Sequence, residues 1–241
     1  MKAAFDATGE VVLVTGGAQG IGAALAKAVN AAGGTAVVLD VAAPPDGTAS
    51  VQADVADRSA VVAAVDEVLA RYGRIDGLVA GAAVQPRSAV LELDAAEWTR
   101  TLQVNLDGVV WACQAVVPHM VARRSGSVVV FTSGMASSGY PGAAAYAASK
   151  AALVAFAKTL AAEVAADRVR VNVVAPGVID TEQFRGANAG ADREHWQDTI
   201  GIGDPDDVVG PLLFLLSDAA AMTGSTLTRE RAFAKLKSFV E

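Results

Sequence analysis

Short β-branched runs alternate along the chain with longer stretches whose apolar positions recur every three or four residues. Val11–Val14 is the first such run, and it ends in Thr15-Gly16-Gly17. A helical pattern follows from Ile21 to about Ala32 and stops at Gly33-Gly34, and Ala36–Leu39 reads as a second strand. Strand, turn, helix and strand make a βαβ unit, the crossover that parallel strands require. The alternation then predicts a weak strand over Ser50–Ala53, a helix over Arg58–Tyr72 and a strand over Gly77–Ala80. Further on it predicts a mainly helical Trp98–Ala122, a strand at Ser127–Thr132, a helix at Tyr146–Ala165 and a strand at Val169–Val174. Pro205–Leu216 is the last predicted helix, with Asp204 as N-cap and Pro205 in the first position. Repeated βα units of this length predict an α/β fold, a doubly wound parallel sheet with helices on both faces. No linker divides the chain, so 1–241 is expected to form one domain.

Two segments break the pattern. Phe184–Thr199 mixes Gly, Asn, Asp and Arg with His195 and Trp196 and shows little periodicity. It follows a late strand, where ligands of such sheets gather, and 184–199 is expected to be a mobile substrate lid, with a plain surface loop as the alternative. At the other end, Met222–Thr228 reads as the approach to a final strand. Phe233, Leu236 and Val240 then recur at helical spacing, which predicts a short amphipathic helix in the tail 229–241.

Composition narrows the class. Hydrophobic residues make up 53% of the chain but aromatics only 5%, so small residues let helices sit close on a sheet. The apolar runs are broken by Gly, Pro or charge, so the mean hydropathy of +0.38 points to a buried sheet and not to a bilayer. A net charge of −7 disfavours nucleic acid and anionic membranes as partners. Met1–Glu10 carries Lys2, Asp6 and Glu10 and lacks a signal-peptide pattern, and a cytoplasmic location is expected. Cys113, the single cysteine, sits in an apolar stretch and is expected to be a buried, inert thiol. His119 and His195 are the only histidines and no carboxylate cluster accompanies them, so no metal site is expected.

The first candidate chemistry is the turn 15–22, T-G-G-A-Q-G-I-G. Its glycines Gly16, Gly20 and Gly22 have the spacing G-x-x-x-G-x-G and join a strand to a helix. There the helix N-terminus offers N–H groups to a phosphate. A turn needed only for close packing is the alternative; its place favours a dinucleotide, with Gln19 and Ile21 beside the phosphates. Asp40 ends the second strand, where a carboxylate accepts hydrogen bonds from adenosine ribose hydroxyls. A 2′-phosphate ~4 Å from it would be repelled by about 4 kcal/mol per unit charge pair at an effective dielectric near 20, so NAD is expected over NADP.

Tyr146 and Lys150 stand four residues apart at the start of a helix and share a face. A tyrosine acting near neutral pH needs its pKa lowered from ~10 by roughly 2–3 units, and adjacent positive charge supplies that. Ser133 ends a strand shortly before, and its hydroxyl can polarise a carbonyl or orient an alcohol.

With T-G-G-A-Q-G-I-G at 15–22, D-V at 54–55, V-N-L at 104–106, Ser133, Y-A-A-S-K at 146–150 and N-V-V-A-P-G-V-I-D-T at 172–181, the chain resembles the short-chain dehydrogenase/reductase family of the single-domain type. The resemblance covers nearly the whole chain and implies a Rossmann fold. It implies an oxidoreductase in which Tyr146 is the acid/base and Lys150 binds the nicotinamide ribose. Ser133 would hold the substrate oxygen. Asn105 would kink its helix and hold a water in a proton relay from Lys150. Asp54 and Val55 would contact adenine, and Pro176, Gly177, Ile179 and Thr181 would line the nicotinamide. A homodimer or homotetramer is expected on the same ground.

Two departures from the family stand out. Gly81 occupies the place of the usual asparagine in N-A-G, which removes a side chain that tethers neighbouring strands. The tail from Arg229 replaces the usual Val-Asp-Gly-Gly. Candidate substrate-pocket residues are Gly134, Met135, Ser138, Tyr140, Val84, Gln85, Phe184, His195 and Trp196, a mainly apolar set. Arg87 and Arg185 are read as solvated loop residues. A neutral secondary alcohol or ketone is the expected substrate, with sugars and polyols as variants. A non-catalytic dinucleotide-binding or interaction protein of the same fold is the alternative function.

Overall fold

Strand β1 (Val11–Thr15) is buried along its whole length and pairs in parallel with β2 (Thr35–Asp40) on one side and β4 (Gly77–Ala80) on the other. The computed structural model, which describes residues 4–190 and 193–229 apart from the side chains of His195 and Thr199, places these strands in one seven-stranded sheet. Its order is β3-β2-β1-β4-β5-β6-β7, with β3 at Ser50–Gln52, β5 at Gly126–Phe131, β6 at Val169–Ala175 and β7 at Thr226–Thr228. All pairings are parallel. The direction of winding reverses between β1 and β4, and at such a reversal the loops diverge and leave a crevice beyond the strand ends.

Side chains alternate across the sheet and build two cores. Val12 and Val14 face α1 (Gly20–Ala31) and α9 (Asp206–Leu216), where Leu25, Val29, Leu212 and Leu215 are buried. Val11 and Leu13 face the opposite core, formed with α2 (Arg58–Tyr72), α4 (Gly108–Arg123) and α6 (Ala144–Val164). Each fully buried Leu or Val there contributes on the order of 1.5–3 kcal/mol. Cys113 belongs to this second core, and burial pushes its thiol up to about 12, so it is inert as expected.

Helix ends follow local chemistry. Asp57 accepts from the N–H groups of Ser59 and Ala60 to start α2, and Gly73, with φ 76°, ends it. The last helix spans Asp206–Leu216, and Pro205 before it already has helical φ −52° and ψ −37°. The Asp207 carboxylate accepts from the Asp204 N–H at 3.0 Å, the back-bond of a capping box around the expected Asp204. Its C-terminal carbonyls are held from the sheet: Ser127 Oγ and Arg170 both donate to Leu215 O, at 2.8 and 2.6 Å.

Two stretches differ from the sequence expectation. The expected helix Trp98–Ala122 is α3 (Ala95–Leu102), a π-helical turn (Gln103–Asp107) and α4. The segment 184–199 is not plain loop: α7 (Glu182–Ala187) and α8 (Arg193–Thr199) run through it, since each is too short to display a periodic face in sequence. The amphipathic helix expected in the tail lies outside the described residues, save Arg229.

Candidate active site

A cavity of about 730 Å³ opens beyond the strand ends where the winding reverses. That is ample for a small-molecule site. Its floor is the glycine turn. Gly16 has φ 71°, and a Cβ on it would lie 2.6 Å from the backbone of Ala82. A Cβ on Gly22 would fall 2.8 Å from Gly17 Cα. Only glycine lets these backbones meet. Gln19 stands at the N-cap of α1 in extended conformation without a side-chain cap bond, and no acidic residue occupies the first turn. The helix start is therefore left to an anion, with Gln19, Gly20, Ile21 and Gly22 all facing the cavity. The residues fit a dinucleotide.

Asp40 and Val41 line the cavity at the end of β2. Asp40 braces the turn from beneath, accepting from Ala18 N–H at 3.0 Å through one carboxylate oxygen and from Ala42 N–H at 3.2 Å through the other. Asp54 and Val55 form the neighbouring wall. Burial pushes the Asp54 carboxyl up, but the Ala56 N–H and Arg100 outweigh it and hold the group below its ordinary range. Arg100, which the sequence reading missed, meets Asp54 at 2.8 Å from α3 and lines the same wall.

Gly81 carries no side chain to tether the strands, yet a tether exists. Thr15 Oγ1 accepts from the N–H groups of Gly81 and Ala82, at 3.1 and 3.3 Å. A hydroxyl on β1 thus holds the chain leaving β4.

Ser133, Tyr146 and Lys150 meet in the middle of the cavity. Ser133 leaves β5 ahead of the short helix α5 (Met135–Ser138) and accepts from Met135 N–H at 3.2 Å. Tyr146 and Lys150 lie one turn apart near the start of α6. Lys150 is only 2% exposed; its Nζ donates to Phe131 O at 3.0 Å and lies 5.8 Å from the Tyr146 ring centroid. Thr132 Oγ1 donates to Lys150 O at 2.8 Å and fixes this turn of α6 to the sheet. Burial lowers the Lys150 pKa to about 8. Burial raises the Tyr146 phenol, while the Ser133 hydroxyl and the Arg87 charge act against it.

Asn105 is fully buried in the π-helical turn and does not line the cavity. Its Oδ1 accepts from Val84 N–H at 2.8 Å, and its Nδ2 donates to Val84 O at 2.9 Å and to Ser149 Oγ at 3.2 Å. The wider turn aims this side chain at the loop after β4 and at α6. Both of its amide protons are thereby bonded within the protein.

On the far side, Pro176, Gly177, Ile179 and Thr181 line the cavity after β6. Thr181 Oγ1 accepts from Phe184 N–H at 3.1 Å and caps α7, while its methyl group packs beside Gly20. Gly134, Met135, Ser138, Tyr140, Val84, Gln85, Phe184 and Trp196, the candidate substrate-pocket residues, also line the cavity. The Trp196 ring centroid lies 5.1 Å from that of Phe184 and 6.3 Å from that of Tyr140. The His195 side chain is outside the described residues. Arg185 is exposed, as expected, but it lies in α7 and not in a loop, and it pairs with Asp180 at 3.1 Å. Arg87 is not a solvated residue: it is half-buried and bonded to Ala187 O and Asn188 Oδ1. Among the described residues there is no group of acidic, His and Cys side chains able to hold a metal, and no helix is long and apolar enough to cross a membrane.

A model of the short chain dehydrogenase family matches residues 10–192. A probable galactose dehydrogenase of Rhizobium meliloti is 37% identical, over 90% of this chain and 91% of that protein. A 3-oxoacyl-(acyl-carrier-protein) reductase of Chlamydia pneumoniae is 33% identical, over 91% of this chain and 94% of that protein. Among solved structures, the aldohexose dehydrogenase of Thermoplasma acidophilum is similar with a TM-score of 0.84 and 30% identity, covering 93% of this chain and 92% of that one.

Proposed function

The chain belongs to the short-chain dehydrogenase/reductase family, oxidoreductases that bind a nicotinamide dinucleotide, and from that premise we propose that it uses NAD to interconvert a secondary alcohol and its ketone, with Tyr146 as acid/base. The observation that carries this reading is the convergence of Ser133, Tyr146 and Lys150 on one cavity with an uncapped helix N-terminus.

In this reading the bound dinucleotide takes up or supplies the hydride. Ser133 Oγ orients the substrate oxygen, and the Tyr146 hydroxyl exchanges a proton with it. Positioned proton transfer of this kind contributes typically 10²–10⁴-fold. In the same reading the Lys150 ammonium favours the phenolate and binds the nicotinamide ribose. Gly81 and the glycine turn let the dinucleotide approach the backbone. Asn105 acts as a positioning residue, locking the loop after β4 to α6 through Val84 and Ser149.

NAD rather than NADP follows from Asp40. Its carboxylate lines the cavity at the end of β2, and the basic residues lining that cavity are Arg100, Lys150 and Arg229. Arg100 is engaged by Asp54, and Arg229 pairs with Asp207 at 3.3 Å. A 2′-phosphate at Asp40 would meet a like charge.

The substrate reading is a neutral alcohol or ketone carried on a ring. Tyr140, Phe184 and Trp196 present aromatic surface suited to the apolar face of a sugar or a cyclic alcohol. The sugar-directed names of two relatives support it. A homodimer or homotetramer belongs to the same proposal and is read by light scattering on a size-exclusion column. The functional test is a panel of secondary alcohols, cyclic alcohols and aldoses with NAD and with NADP. Turnover with NAD supports the reading, and turnover with NADP alone overturns the cofactor assignment.

A further inference from the structure

Arg87 lies in the loop between β4 and α3, and its partners are far away in sequence. Its Nε donates to Ala187 O at 3.3 Å and its Nη2 to Asn188 Oδ1 at 2.8 Å. Asn188 Nδ2 in turn donates to Phe184 O at 2.7 Å. The guanidinium thus grips the C-terminal end of α7 and, through it, the backbone of Phe184. On its other side Nη1 reaches Met135 Sδ at 3.7 Å, and the group sits 4.8 Å from the Tyr140 ring centroid. The next residue, Ser88, donates its N–H to Gly142 O at 2.9 Å, which fixes the loop to the segment leading into Tyr146.

No carboxylate among the described residues lies within ion-pair distance of Arg87. Its hydrogen-bonding capacity goes to the α7 segment and to Met135, and its face to the Tyr140 ring.

We propose that Arg87 is a positioning residue that clamps the α7 segment over the substrate end of the cavity. The clamp itself stands without the proposed function; its effect on substrate rests on that reading. A planar guanidinium suits the task, because its fork holds two acceptors at once.

The test uses Arg87→Met and Arg87→Lys in the full chain. Hydrogen exchange of the amides in 184–190, measured without ligand, is expected to be about tenfold faster in Arg87→Met than in the parent, the loss of a charge-assisted hydrogen bond. Equal exchange overturns the clamp, and this arm holds whether or not a substrate is found. In alcohol oxidation, KM is expected to rise about tenfold in both variants. Arg87→Lys keeps the charge but not the fork, so it is expected to share the higher KM; a KM that Arg87→Lys restores in full overturns the two-acceptor clamp. If the parent protein turns over nothing on the panel, the functional reading fails and the exchange arm still decides the clamp.

Discussion

At the residue scale, the site sets a buried ammonium against stability. Lys150 is 2% exposed, and burial holds its pKa at about 8 against an ordinary 10.5. A lysine whose pKa is lowered on folding destabilises the fold while both states are charged, that is below pH 8. The penalty shrinks as pH rises from 8 to 10.5 and then vanishes. Its full size is on the order of 3 kcal/mol. Lys150→Met is therefore expected to raise the melting temperature of the ligand-free protein at pH 7, with the gain shrinking above pH 8, while turnover is lost. A gain that does not depend on pH would place the cause in packing instead. Tyr146, Lys150 and Ser133 were legible in the sequence because helix spacing and a strand end fix them locally. Arg87 was not, because its partners stand 48 to 101 residues away along the chain. Asn105 was legible as a site residue, but its committed amide shows only in three dimensions.

At the scale of the element, the turn between β1 and α1 carries the cofactor argument. Gly16→Ala puts a side chain at φ 71° and against the Ala82 backbone. The backbone strain alone costs roughly 1–3 kcal/mol. The variant is expected to lose NADH affinity and to melt lower; an unchanged melting curve by circular dichroism would contradict the close packing described. At the end of β2, Asp40→Ser removes the like charge that faces a 2′-phosphate. The NADH-to-NADPH affinity ratio is expected to fall tenfold or more, by fluorescence titration of each nucleotide. The strand–turn–helix order was legible from periodicity alone. Helices α7 and α8 were not. They hold six and seven residues, and a glycine, Gly186, sits within the first. Their order comes from contacts: Thr181 caps α7, Arg87 holds its end, and Trp196 of α8 meets Phe184 and Tyr140. No periodic pattern announces such contacts.

At the scale of the whole molecule, function follows from winding. The sheet reverses direction between β1 and β4, and there the glycine turn, Gly81 and the chain after β6 surround one cavity. The tether across it passes from a family side chain to the Thr15 hydroxyl. Replacing Thr15 by Val leaves the Gly81 N–H on the backbone carbonyl of position 15, at 3.1 Å, but removes the acceptor of the Ala82 N–H. It is expected to cost about 1–3 kcal/mol by urea denaturation, with weaker NADH binding. Unchanged stability would mean that water satisfies the Ala82 N–H. The parallel sheet and its class were legible because the central strands β1, β2, β4 and β5 contain continuous apolar runs bounded by turns. The place of Arg229, extending the β7 edge through its N–H to Ala175 O at 2.9 Å, was not, since its segment departs from the family pattern. The most direct measurement of the central claim is NADH and NADPH binding to the parent and to Tyr146→Phe, followed in the same sample by turnover of the alcohol panel. The account predicts that both proteins bind NADH in preference to NADPH with similar affinity, and that only the parent turns over, by roughly 10²–10⁴-fold. Equal turnover by Tyr146→Phe would contradict it.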